Sequence, residues 1–148
     1  MKKIFILIIF FLSSCGYQPL YTNKNSKDFI FAEITLVGDL KINKKIISSL
    51  NIKKNTENYK FEKIILTNKK EIIETSKNSK GQVDSYKMNL TIGLIIEDKN
   101  NVLTEKTLSN TFAYKNLDNK FDLSQYENQI ENNLLNKITQ ELIFYLNF

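Results

Sequence analysis

The strictest constraint on this chain is the run from Gln82 to Asp98. Tyr86, Met88, Leu90, Ile92, Leu94 and Ile96 recur at every second position, with Lys87, Asn89 and Thr91 between them. Side chains alternate across a strand with period two, so the pattern predicts one long strand with a single buried face. A slip of one residue would turn all six apolar groups to water, which specifies the register tightly. Such a strand needs partners along its edges and a second layer over its apolar side.

The flanking sequence supplies both. Lys99-Asn100-Asn101 predicts a hairpin turn, after which Val102–Tyr114 returns as a strand with Leu108, Phe112 and Tyr114 on one side. Upstream, Ser76–Gly81 has turn composition. Tyr59–Thr75 holds FEKIILT and EIIET around Asn68-Lys69-Lys70, which predicts a long strand bent or bulged at that point. Asp28–Val37 predicts a first strand, with Ile30, Ala32, Ile34 and Leu36 on one face and Phe29, Phe31, Glu33 and Thr35 on the other.

Two segments change period. After Gly38, Asp39 is suited to cap a helix, and Ile42, Ile46, Ile47 and Leu50 recur at helical spacing, which predicts a helix over 40–51. Asn51–Asn58 then reads as a polar loop. Near the end, Ser124-Gln125-Tyr126-Glu127 has the form of a capping box. Tyr126, Ile130, Leu134, Leu135, Ile138, Leu142 and Tyr145 follow as one apolar stripe, the mark of a core-facing helix. The predicted order is β-α-β-β-β-α. It implies an α+β two-layer sandwich, with a four-stranded, mainly antiparallel sheet and two helices on one face. At 148 residues the length suits a single domain.

Composition removes most catalytic chemistry. With no histidine and one cysteine, neither Ser-His-Asp nor Cys-His pairs can form within the chain, and the usual zinc sites fail for the same reason. All 21 basic residues are lysine, so the planar guanidinium fork that grips phosphate is missing. A glycan hydrolase needs two carboxylates converging within about 10 Å. Glu33, Glu62, Glu71, Glu74 and Asp98 are scattered without a motif. The expectation is a protein that is not an enzyme and carries no metal. Lysines interspersed with acids form no basic stripe, so no nucleic-acid partner is expected.

The amino terminus points to a destination. Met1-Lys2-Lys3 precedes nine unbroken apolar residues, Ile4–Leu12, and then Ser13-Ser14-Cys15. Crossing a hydrocarbon core of about 30 Å takes about 20 apolar residues, so this run is a signal peptide and not a membrane span. Leu12-Ser13-Ser14-Cys15 matches the bacterial lipobox: an aliphatic residue, two small ones, and the cysteine that receives the lipid. The lone cysteine of the chain stands where that pattern requires a thiol. Residues 1–14 are therefore expected to be removed, with diacylglycerol and an N-acyl chain joined to Cys15. Residues 15–27 would be a lipidated tether and 28–148 the folded domain. One acyl chain holds marginally, at about 0.8 kcal/mol per buried methylene, whereas two or more give stable attachment. Gly16, in place of an aspartate, is compatible with outer-membrane export. Removing Lys2 and Lys3 from a formal charge of +5 leaves +3.

Cys15-Gly16-Tyr17-Gln18-Pro19-Leu20-Tyr21 resembles the opening of mature LPS-assembly lipoproteins of the LptE family, and the element order resembles theirs over essentially the whole mature chain. The resemblance implies an outer-membrane lipoprotein on the periplasmic side that occupies the lumen of the LptD β-barrel. It implies that the protein assists assembly of that barrel, binds lipopolysaccharide and helps deliver it to the outer leaflet. On that reading Lys69, Lys70, Lys77 and Lys80, placed near one turn, are candidates to meet lipid phosphates as point charges. A solvated charged hairpin explains the same lysines. The alternative is another outer-membrane accessory lipoprotein, of barrel-assembly or secretion machinery.

Overall fold

The computed structural model describes residues 29–146. It begins with strand β1, Phe29–Val37, followed by helix α1, Leu40–Ser49, and a three-residue strand β2, Ile52–Lys54. Three long strands come next: β3 (Phe61–Lys77), β4 (Val83–Asp98) and β5 (Asn101–Lys115). Helix α2, Lys120–Leu146, closes the chain. The α+β class and two helices agree with expectation.

The sheet differs in detail. It has five strands in the order β2-β1-β3-β4-β5, and it is mixed. β1 runs parallel to both β2 and β3, while β3-β4-β5 is an antiparallel meander. The reason is connectivity: two strands joined through a helix return in the same direction, as a crossover requires. β2 falls in the segment read as a polar loop. Asn51, in the left-handed region at φ 52°, ends α1 and turns the chain straight into it. Only Ile52 of β2 is apolar and buried, too little for a period-two signal.

The long alternation holds. Met88, Leu90, Ile92, Leu94 and Ile96 are buried, and Tyr86 packs against them partly covered. Both helices lie over this face, delivering Ile42 and Ile46 from α1 and Ile130, Leu134, Leu135, Ile138 and Leu142 from α2 into one core. Tyr145 departs from the stripe, being 37% exposed. Phe31 is a second departure. Expected opposite Ile34 and Leu36, it is fully buried in the same core and stacks on Phe61 with ring centres 5.7 Å apart.

Turns and caps carry the remaining corrections. Lys99 and Asn100 form a two-residue hairpin with φ of 49° and 65°, both left-handed as a tight antiparallel turn demands. β3 is continuous through Asn68-Lys69-Lys70, and its irregularity lies at Glu74–Lys77 instead. α2 starts one turn before the expected capping box. The Phe121 N–H donates to Asn119 Oδ1 at 2.9 Å, so Asn119 is the cap and Ser124 lies inside the helix.

Candidate functional site

Leu12, Ser13, Ser14 and Cys15, with the tether over 15–27, lie outside the described residues. The four candidate lysines lie within them, and the fold separates them. Lys69 and Lys70 sit mid-ladder opposite Thr91 and Leu90, whereas Lys77 pairs with Val83 beside the turn that holds Lys80. At about 3.3 Å per residue, Lys69 and Lys77 stand about 26 Å apart along the strand. Neighbouring strand residues also point to opposite faces, so Lys69 faces the open side and Lys70 the helices. The expected convergence at one end of the sheet does not occur, because β3 runs unbroken where a bend was read.

Carboxylates engage three of the four. Lys70 Nζ lies 2.6 Å from Glu131 Oε2, whose side chain is only 7% exposed, so this pair ties β3 to α2. Lys69 meets Glu71 at 2.7 Å and Lys77 meets Glu74 at 3.6 Å, both at the surface. Lys80 sits on a turn shaped by Asn78, whose Oδ1 accepts from the N–H groups of Lys80 and Gln82.

The side of the sheet away from the helices is polar in its middle, flanked by the Ile65–Ile95 pair at one end and the exposed Ile73 at the other. Its rows read Thr67–Gly93–Thr107, Lys69–Thr91–Ser109 and Glu71–Asn89–Thr111 across β3, β4 and β5. Thr91 and Ser109 share a hydroxyl hydrogen bond at 3.0 Å. Further along, Glu33 on β1 accepts from the Thr35 hydroxyl at 3.0 Å and pairs with Lys63 at 3.3 Å, and these partners hold its carboxyl below the ordinary range. This plane of hydroxyls and amides can meet a polar wall through hydrogen bonds. No cluster of three or more metal-ligating side chains occurs among the described residues.

Two further features lie between β5 and α2. Tyr114 is buried and donates to Glu127 at 2.7 Å, with its ring edge-on to Tyr126. Burial first, then the Glu127 carboxylate, push its phenol well above the usual tyrosine range. Beyond it, Lys106, Leu108, Lys137, Glu141, Phe144 and Tyr145 line an open groove of about 690 Å³. Sequence reasoning missed this groove, since its walls come from residues about 30 positions apart, joined by contacts such as Lys106 over the Tyr145 ring at 5.0 Å and Asn110 Nδ2 donating to Glu141 Oε1 at 3.3 Å. Among the described residues, no helix is long and apolar enough to cross a membrane.

Neither a family model nor a curated protein matches the sequence. Solved structures do match this arrangement. Rare lipoprotein B from Shewanella oneidensis superposes with a TM-score of 0.55 at 10% identity, covering 78% of this chain and 93% of that one. The uncharacterized lipoprotein B of Nitrosomonas europaea gives 0.55 at 17% identity, covering 78% and 80%. The chain shares their fold. A minor lipoprotein from Acinetobacter baumannii gives 0.54 at 15% identity, covering 78% and 87%. All three are described as lipoproteins.

Proposed function

We propose that this chain is an LptE-type lipoprotein, anchored through lipid on Cys15 to the periplasmic side of the Gram-negative outer membrane. In this reading it plugs an LptD-type β-barrel, assists assembly of that barrel and helps deliver lipopolysaccharide to the outer leaflet. The observation that carries the reading is the rare lipoprotein B fold, which spans 80–93% of three lipoproteins. The lipobox in the sequence supports it independently, as does the polar sheet face, because the interior of such barrels is polar. The protein acts by occupying space and presenting hydrogen bonds. The reading includes no catalytic step and no cofactor beyond the covalent lipid.

The test is depletion in the native host, followed by surface labelling of lipopolysaccharide and quantification of the barrel. The expected result is loss of surface lipopolysaccharide together with a fall in folded barrel. Unchanged display and barrel levels would overturn the reading. Affinity capture of the lipidated protein adds a second discrimination: recovery of an LPS-translocon barrel supports it, and consistent recovery of another machine favours the accessory alternative.

A further inference from the structure

β5 ends the strand order and is bonded to β4 on its inner side alone, from Asn101 to Lys115. Its outer side meets no strand among the described residues. A row of unpaired N–H and C=O groups is a template for another strand, which natural edges often blunt with proline, bulges or inward charge. β5 contains no proline, its one register shift sets Leu103 as an extra residue near the start and leaves Thr104–Lys115 regular, and its single charge on the helix side, Lys106, is held over the Tyr145 ring at 5.0 Å.

Two features along this regular stretch complement each other. The groove of about 690 Å³ opens at Leu108, beneath Phe144 and Tyr145. Four residues on and on the same face, Phe112 projects with 46% exposure. Antiparallel pairing of two β5 strands about a twofold axis at Asn110 sets each Phe112 beside the other copy's Leu108. Residues directly opposite in such a pair share a face, so each aromatic ring enters the groove of the other molecule. On the opposite face the same register sets Glu105 against Lys115, again twice. These two and Lys106 are the charged residues of β5. Moving the register by two residues, the smallest shift that keeps faces matched, loses both the charge pairs and the Phe112–Leu108 contacts.

We propose that the outer edge of β5 is a docking site for a second copy of this chain, in an isologous antiparallel pair centred on Asn110. The inference goes beyond the envelope role above and does not rest on it. The full chain carrying Asn110→Cys is expressed in a Gram-negative host, and its envelope fraction is run on a non-reducing gel. Opposed residues in an antiparallel pair lie about 4.5–5.5 Å apart at Cα, within disulfide reach. The expected result is a reducible dimer, above the background of the unsubstituted chain.

Leu108→Cys alone should give no such dimer, since its copies sit about 13 Å apart along the strands. Adding Phe112→Cys to it should restore the cross-link. Absence of the Asn110→Cys dimer, or equal cross-linking at Leu108, overturns the proposal. Should the variant fail to accumulate, the unsubstituted protein decides the matter. Isotopically light and heavy copies are mixed and treated with a carbodiimide, and a light–heavy Glu105–Lys115 peptide supports the pairing. Its absence overturns it.

Discussion

At the scale of the residue, Lys70 and Lys69 show how little a sequence neighbour shares when strand geometry intervenes. Lys70 neutralises the buried Glu131, whereas Lys69 pairs with Glu71 in water. Removing one partner of a buried ion pair leaves a desolvated charge, which costs about 3–5 kcal/mol when both partners are buried. Lys70 is itself 37% exposed, so water and rearrangement relieve part of that penalty. Lys70→Ala should therefore lower stability by about 1–2 kcal/mol, and Lys69→Ala by less than about 0.5 kcal/mol. Midpoints of urea denaturation compare the two.

Tyr114 gives a second residue-scale outcome. Loss of its hydrogen bond to a carboxylate in Tyr114→Phe should cost about 1.5 kcal/mol near neutral pH. Because the fold raises the phenol's pKa, the native state holds that proton after the unfolded chain has released it. The stabilisation is full below about pH 10, where free tyrosine titrates, and declines as pH rises beyond it. The gap between the two proteins should narrow above that pH in parallel denaturation curves.

At the scale of the element, the junction of β1 with α1 hangs on Asn68, a residue that sequence reading placed only at a bend in β3. Asn68 Oδ1 accepts from the Asp39 N–H at 3.0 Å, and its Nδ2 donates to the Asp39 carbonyl at 2.9 Å. Gly38, at φ 95°, packs so closely under Asn68 that a side chain there would collide with it. Asp39 meanwhile caps α1, accepting from the Lys41 N–H at 2.7 Å. Asn68→Ala removes both links and should destabilise the domain by about 2 kcal/mol, with an unchanged denaturant slope because the same surface is exposed on unfolding.

The same elements mark what was legible beforehand. β4 was readable because Tyr86–Ile96 repeats a period-two pattern, and α2 because its stripe persists over several turns. β2 was not, since three residues hold no periodicity and its position depends on where α1 stops. The capping box misled because the helix already runs from Lys120 with Asn119 as its cap, which leaves Glu127 free to receive Tyr114. The lysine cluster misled because β3 was given a bend at Asn68 that its ladder with β4 does not have. The groove beside β5 had no local signal, being assembled from a strand and a helix.

At the scale of the whole molecule, the proposed anchor is separable from the domain. The core draws on β1, both helices and the four other strands, all within residues 29–146. Cys15→Ser should therefore leave the domain folded while abolishing lipid attachment and processing. Labelled palmitate entering the wild-type chain but not the variant checks the outcome, and a free Cys15 thiol in the mature protein would refute it.

Parallel pairing has a temporal side as well. Six β1 residues pair beside the β3 residue thirty positions later, from Phe31 with Phe61 to Val37 with Thr67. Ribosomes add about 5–20 residues per second, so β1 spends about 2–6 seconds of synthesis before the matching part of β3 exists. Until then only the three residues of β2 can pair with FIFAEITLV, and whatever shelters nascent polypeptides has this stretch to guard first.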